Sequence, residues 1–522
     1  MREHNFTNPM RHDSAELPFG VLMPTGALPG GESYAQVLTT RQKTSEFLKW
    51  LFSFPAMLGM LLVASVAATQ RMFEVDPDLW WHIKVGQDIL ATHRWPTTDP
   101  YSFSVMGHPW IAYEWLGDVL WAMVYRLGGL RGMDLLMIVV GSAVSLALYY
   151  YATLRSGNSK AGFLATVILI PLTRPSLSLR PQMLGYLFLV LTLIAMLRFR
   201  EGKRTAAWFL PLLFLLWVNT HGSFIIGLGV VLLYLLAGLR EFQFGELEAH
   251  RWSAKDRIQL ESIFLLCLAV LPITPYGTRL AIYPLDMAFG QPLNVSVILE
   301  WQSMPFNLLG GKVFLGLILL FFLLQVVFHF RWRLEELALF LFGVMMACLH
   351  VRFILLFVPF VAPVLARAVA RWMPPYRRAI DKFVINGALM AAAVACMVYC
   401  LPSEARIKQL VAKKFPAGAV EFLEHHAVPG PTFDTYGFGG YMVFSGKQVF
   451  IDGRGDLYEH GGVLNDYMQI TTNKPGALAI LDRYQVQSCV IEFDEPLATL
   501  LSASPKWKRV FVDGVSAIFV RQ

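Results

Sequence analysis

The stretch Glu74-Val75-Asp76-Pro77-Asp78-Leu79-Trp80-Trp81-His82 follows the first long apolar run of the chain. It sets three carboxylates, two indoles and an imidazole where a chain leaving a membrane meets water. A carboxylate within hydrogen-bond reach of a hydroxyl can take its proton as a general base. Asp76 is the first candidate for that role and Asp78 the second. The same two hard oxygen donors could hold magnesium or manganese, if a divalent metal is used. Ordinary roles compete: Asp78 or, less readily, Asp76 can cap a helix that begins at Leu79. Trp80 and Trp81 can anchor at the headgroup level, and His82 can carry a proton or only hydrogen-bond along a helix face.

Other chemistry-bearing residues recur at the ends of apolar runs: Glu114; Arg174, Arg180 and Gln182; Asn219 and His221; Glu300 and Gln302; and His350 with Arg352. Arg174 and Arg180 each precede a proline, which weakens local helix. A guanidinium on irregular backbone beside a membrane suits bidentate binding of a phosphate, and headgroup snorkelling is its everyday alternative. Asn219-Thr220-His221-Gly222 can equally be a hydrogen-bonded turn.

The elements that must position these groups are membrane helices. Hydrophobic residues make up 55% of the 522, charged residues 16%, and the mean hydropathy is +0.49. Those values exclude a soluble enzyme with a solvated surface. Apolar runs near 47–69, 131–154, 161–173, 182–197, 206–219, 223–239, 258–273, 310–329, 335–349, 353–370 and 381–401 predict about eleven spans. A net charge of +7 invites a nucleic-acid reading. The basic residues instead fall in short clusters between apolar runs, as topology requires, so no nucleic-acid partner is expected.

With eleven spans, Arg155, Lys160, Arg198, Arg200, Lys203, Arg204, Arg240, Arg251, Lys255, Arg257, Arg331, Arg333, Arg371, Arg377, Arg378 and Lys382 share one side. The positive-inside rule makes that side cytoplasmic, together with the N-terminus. Residues 1–45, rich in Pro, Gly, Ser and Thr, are expected to be a disordered cytoplasmic tail. Residues 46–401 form the membrane domain, and its 70–130 loop and residues 402–522 lie outside. In that loop, Asp78–Thr92 and Trp110–Leu127 read as amphipathic helices, and the second could instead be a short span. The small-residue stretch Ala64–Ala67 could be cleaved, but the long polar lead-in favours a retained first span.

Residues 402–522 read as a small extracytoplasmic α/β domain. Helices are expected at Val420–His425 and Ala477–Tyr484. Strands are expected at Thr432–Phe433, Tyr441–Phe444, Gln448–Ile451, Ser488–Phe493, Arg509–Val512 and Ala517–Arg521. The run Asp452-Gly453-Arg454-Gly455-Asp456 reads as a salt-bridged turn, or as a lid over an acceptor. Cys267, Cys348, Cys396 and Cys400 sit in apolar runs and Cys489 in the tail, a distribution that offers neither a disulfide framework nor a zinc site.

Asp76-Pro77-Asp78 with the helix after it, and His108-Pro109-Trp110 with Glu114-Trp115-Leu116 before Gly128-Gly129, resemble the first extracytoplasmic loop of the GT-C glycosyltransferases. That superfamily includes the lipid A aminoarabinose and protein O-mannosyl transferases and enzymes of lipopolysaccharide cores. The likeness spans roughly residues 47–400. Many members carry Asp-Glu and Lys-Pro-Pro-Leu where this chain has Asp-Pro-Asp and His-Pro-Trp, so the resemblance is to a divergent branch. It implies an inverting enzyme of the bacterial inner membrane. Such an enzyme moves a sugar from a polyprenyl-phosphate donor to a lipid, glycan or protein acceptor at the outer face. The leaving phosphate would be met by Arg174, Arg180 or Arg352. A flippase for lipid-linked sugars and a non-catalytic envelope assembly protein are the alternatives. A transporter would place its ionisable groups near the midplane and show internal repeats.

Overall fold

The computed structural model describes residues 40–69, 76–173 and 178–522. Glu74 and Arg174 therefore lie outside the described residues, as does most of the tail expected over 1–45. The chain divides into two units, Met1–Leu51 and Phe52–Gln522. In the first, Thr40–Leu51 is a helix, so the expected tail boundary at 45 falls inside an element. All that follows concerns the second unit.

Its frame is a set of apolar helices around the long helix Trp115–Ser156. Against that helix pack Asp78–Thr92, Ser159–Thr173, Gln182–Arg200 and Ile354–Ala370. Length and hydropathy support four to six spans, among them Trp115–Ser156, Gln182–Arg200, Leu309–Phe328 and Val351–Ala370. Other expected spans coincide with shorter helices, such as the 9 residues of Leu210–Val218 and the 14 of Phe224–Ala237. Those fall short of the roughly 20 residues that cross hydrocarbon unaided. Leu309–Phe328 turns Leu319, Phe322, Leu323 and Val327 outward, a surface that suits lipid.

The helix expected over Trp110–Leu127 is present from Trp115, and a kink at Gly129 divides it from the helical segment that follows, up to Ser156. The Gly129 φ of 56° and ψ of −146° are left-handed and non-helical. Glycine alone adopts that geometry cheaply.

The two ends of the helix bundle differ in chemistry. At one end, Arg155 and Arg367 both meet Glu336, the latter at 3.2 Å, and Arg200 meets Glu335 at 2.9 Å. The other end gathers the N-termini of Trp115–Ser156 and Gln182–Arg200, the turn after Leu210–Val218 and the turn after Leu334–Leu349. Most of the site residues foreseen in the sequence stand on that second end.

Residues 402–522 form a four-stranded sheet in the order Thr432–Asp434, Ser488–Glu492, Ser516–Arg521, Trp507–Val512. The first pair is parallel and the other two are antiparallel. Tyr441–Phe444 is not a strand but the end of a helix, Tyr436–Phe444. A short continuous apolar run fits a buried strand and a buried helix equally well, and length decides only when neighbours are known. Gln448–Ile451 is likewise no strand of the sheet. Val449 instead bridges to Ser102 of the first loop, with its N–H on Tyr101 O at 3.2 Å.

This sheet does not close a core of its own. Trp81, Val85, Ile89, Tyr101 and Trp110 of the first loop are buried in one cluster with Phe433, Met442, Phe450 and Phe519. Trp80 and Trp81, expected as headgroup anchors, are each only 2% exposed. Trp80 meets Phe415 and Tyr441 edge-on at 5.5 and 5.0 Å. The C-terminal residues cover the very helix face that would otherwise have met lipid headgroups, and burial of such rings contributes about 1.5–3 kcal/mol each.

Candidate active site

Helix Asp78–Thr92 is started by Asp76, whose Oδ1 accepts the Asp78 N–H at 3.0 Å. The cap is thus Asp76, and the Asp78 side chain is left to face a cavity. That reverses the expectation that Asp78 was the better cap. One turn on, Gly86 lies so close to the long helix that a Cβ would fall 2.0 Å from Asp118 O. This approach brings His82 Nδ1 to 2.6 Å from Asp118 Oδ1. His82 Nε2 lies 3.4 Å from Glu114 Oε2, and Glu114 Oε1 lies 3.4 Å from His221 Nε2. His221 Nδ1 continues to Ser223 Oγ at 2.8 Å. The result is a buried row, Asp118–His82–Glu114–His221–Ser223.

Beside it, Arg180 reaches three carboxylates. Its Nε is 2.7 Å from Asp76 Oδ2, a charge contact out of hydrogen-bond alignment. Nη1 is 3.1 Å from Asp78 Oδ2 and Nη2 is 3.4 Å from Glu300 Oε1. Arg352 differs: its guanidinium lies over the Trp301 ring at 4.3 Å. It stands in the turn Val351–Phe353. That turn is fixed by Val351 N–H on Gln302 O at 3.0 Å and by His350 Nδ1 at 2.6 Å from Trp301 O.

These groups share one cavity of about 810 Å³. Asp78, His82, Glu114, Arg180, Gln182, His221, Glu300, His350 and Arg352 all line it. Asp76 does not line it and acts from behind through Arg180 and the helix start. Asn219 is also off the wall: its amide serves Trp115 Nε1 at 2.8 Å and the carbonyls of Leu215 and Ile273. Gln182 donates to Tyr186 at the first turn of its helix. Another part of the wall is apolar, from Leu189, Ile225, Ile226, Phe342, Met346 and Leu356.

Burial of the side chains sets the charge states. Burial pushes the Asp78 carboxyl up to about 7, against the pull of Arg180 and with help from Asp76 and Glu300. Burial pushes Glu114 up to about 8, again opposed by Arg180. Burial, then Arg180 and His221, hold His82 well below the usual imidazole range. His221 is pushed down to about 3 by burial, then by Arg352 and Arg180. At neutral pH the row therefore holds neutral imidazoles around a largely protonated Glu114, and Asp78 alone sits near its midpoint.

The residues expected to hold a divalent metal, if one is used, are Asp76 and Asp78, whose Oδ2 atoms both meet Arg180. Arg180 already occupies the place between them, and no group of three or more His, Cys, Asp or Glu among the described residues is arranged to hold a metal ion.

Three wall residues escaped the sequence reading, Tyr113, Tyr283 and Asn294, as did Asp118 behind His82, while the turn at Gly453 foreseen as a salt-bridged turn or lid does stand on the wall. Asp118 was within reach, since it follows Glu114 by four residues and so shares its helix face. The approach of Gly453 to Asp78 was not, because it is a contact between segments far apart in the chain. A Cβ there would fall 1.6 Å from Asp78 Oδ1. Gly453→Ala is expected to push the carboxylate aside and lower activity about a hundredfold, given the cost of misplacing a reacting group by about 1 Å. The check is kcat/KM alongside an unfolding midpoint, which should move far less.

No protein-family model and no curated protein matches this chain. Solved structures do. The Archaeoglobus fulgidus oligosaccharyltransferase, tethered with an acceptor peptide containing the NVT sequon, aligns with a TM-score of 0.50 at 13% identity, over 85% of this chain and 70% of its own. The arabinofuranosyltransferase AftD from Mycobacteria aligns at 0.49 and 15% identity, over 88% of this chain and 41% of its own. ArnT from Cupriavidus metallidurans, bound to undecaprenyl phosphate, aligns at 0.46 and 13% identity, over 88% and 96%. At these identities the likeness is one of fold: the chain folds similarly to the Archaeoglobus fulgidus oligosaccharyltransferase.

Proposed function

We propose that this chain is an integral membrane glycosyltransferase that moves a sugar from a polyprenyl-phosphate donor to an acceptor. The observation that carries the reading is the cavity itself. One wall is apolar and built from membrane helices, and it ends in a buried carboxylate and two arginines. A lipid-linked sugar phosphate has that same division between chain and headgroup. Asp78 takes the proton of the attacking hydroxyl as the acceptor oxygen bonds to the anomeric carbon. The bond from that carbon to the phosphate oxygen breaks, the phosphate keeps the electron pair, and displacement at one centre inverts it. Arg352, which lies over the Trp301 ring with no ion pair among the described residues, meets the developing phosphate charge. Arg180, shared among three carboxylates, chiefly holds Asp78.

Orientation follows from the bundle's two ends. The arginines at 155, 198, 200, 204, 331 and 367 stand on the end away from the cavity, so the positive-inside rule supports a cytoplasmic location for them. The cavity and residues 402–522 then face outward, in a bacterial inner membrane. Lipid, glycan and protein acceptors all fit this reading, and the likeness to solved structures supports only its general kind.

Reconstituted protein supplied with undecaprenyl-phosphate sugars and a panel of lipid, glycan and peptide acceptors tests it. A covalent product is expected; movement of the donor across vesicles with no product would establish a flippase instead. In the same assay Arg352→Ala should lower kcat/KM about a hundredfold, as loss of one charge-stabilising donor does. Its affinity for undecaprenyl phosphate should also fall about tenfold or more.

A further inference from the structure

A second polar surface enters the cavity from the turn Gly453–Asp456, the helix Pro292–Val297 and the paired rings of Tyr113 and Tyr283. The turn Gly453–Asp456 runs from Asp78 toward the helix Pro292–Val297. A Cβ on Gly455 would meet Asn294 Oδ1 at 2.7 Å, as one on Gly453 would meet Asp78. Two residues of chain span at most about 7 Å, the scale of a single sugar ring.

Along this surface three cavity-lining groups carry buried polar atoms that meet no well-aligned hydrogen-bond partner among the described residues: Asp456 Oδ1, Asn294 Oδ1 and the Tyr283 hydroxyl, which approaches Asp456 and Tyr113. Asp456 is 6% exposed and Asn294 is 3% exposed. Native interiors satisfy such atoms, so the exceptions call for an explanation. Asn294 is not free to turn away. Glu459 accepts the Leu293 and Asn294 N–H groups at 2.8 and 2.6 Å. The Asn294 amide nitrogen is committed to Gln291 Oε1 at 2.9 Å, which leaves its oxygen as an acceptor only. Tyr283 stacks on Tyr113 with ring centres 4.2 Å apart, and both rings line the cavity.

We propose that Asp456, Asn294, Tyr283 and Tyr113 form a subsite for a neutral polyhydroxylated ring, the sugar carried through the reaction or the sugar of a glycan acceptor. Two acceptors and one hydroxyl donor beside aromatic faces match ring hydroxyls, each of which both donates and accepts. A phosphate is excluded by the two oxygen acceptors. The proposal rests on the glycosyltransferase reading and adds to it where the sugar is recognised.

The test uses the full chain in lipid nanodiscs and needs no turnover. Saturation-transfer NMR with neutral methyl hexosides and pentosides reports sugar contact, and undecaprenyl phosphate binding is measured on the same samples. At least one glycoside is expected to bind. Its affinity should fall tenfold or more in Asp456→Asn and in Asn294→Ala, with undecaprenyl phosphate binding unchanged in both as the check on folding. If undecaprenyl phosphate binds through Arg352 while no glycoside binds, or if glycoside binding survives both variants, the subsite is overturned and the glycosyltransferase reading stands. If wild-type protein binds neither probe, that reading falls and the subsite with it.

Discussion

Asp78→Asn is expected to lower sugar transfer by about 10²–10⁴-fold, the usual contribution of a positioned general base. The protein should remain folded, because asparagine keeps the shape and Arg180 retains Asp76 and Glu300. Asp76→Asn is the informative companion. Asparagine caps a helix as well as aspartate does, and Asp76 does not line the cavity. Its loss should therefore act only through the position of Arg180, by no more than about a hundredfold. The opposite ranking, with Asp76→Asn the more damaging, would return the base to Asp76.

The pH profile separates this account from a merely structural Asp78. With its carboxyl pushed up to about 7, the fraction ionised falls as pH drops below 7. The rate should fall about tenfold per pH unit there, whereas an ordinary carboxylate would stay ionised to about pH 4–5. Arg180 pulls the Asp78 value down. Arg180→Gln should therefore move the acidic limb to higher pH, a shift that simple misfolding would not produce. Glu114, pushed up to about 8, is largely protonated at neutrality and so is a poor base there.

What the sequence made legible follows from how each signal arises. The convergence of Asp78, His82, Glu114, Arg180, His221, Glu300, His350 and Arg352 could be foreseen because each stands at the end of an apolar run. Alternating ends of antiparallel helices fall on one side. Local capping was harder: Asp76 and Asp78 have identical chemistry, and only the backbone geometry at Pro77 decides which one starts the helix. Trp80 and Trp81 were misplaced for a different reason. Their burial depends on Phe415, Tyr441 and Phe444, more than three hundred residues along the chain, and no local pattern reports such a contact. The same distance hides the approach of Gly453 to Asp78.

That long-range dependence makes Arg454 the position of largest expected effect on stability. The run Asp452–Asp456 does form a salt-bridged turn, but its third partner comes from the first loop. Arg454 Nη1 meets Asp99 Oδ1 at 2.6 Å and Nη2 meets Asp452 Oδ2 at 2.6 Å, with all three side chains fully buried. Tyr458 OH links Asp452 Oδ2 at 3.0 Å to Ser102 Oγ at 3.1 Å, and the guanidinium lies 4.7 Å from the Trp110 ring. Arg454→Met keeps an unbranched apolar stem in place of the arginine's but strands two carboxylates in an apolar core. Removing one partner of a buried ion set costs about 3–5 kcal/mol, far more than the net worth of the intact pair, because the remaining charges keep their desolvation penalty. Unfolding of the purified protein in a denaturing-detergent titration should show a loss of that size. The triple replacement Asp99→Asn, Asp452→Asn and Arg454→Met should recover part of it, since no uncompensated charge is then left inside. Because Gly453 and Asp456 line the cavity on either side of Arg454, the single variant should also lose activity at temperatures where it remains folded. A stability change below about 1 kcal/mol would mean that the first loop and the C-terminal sheet are held together by their shared apolar core alone, with the buried charges as passengers.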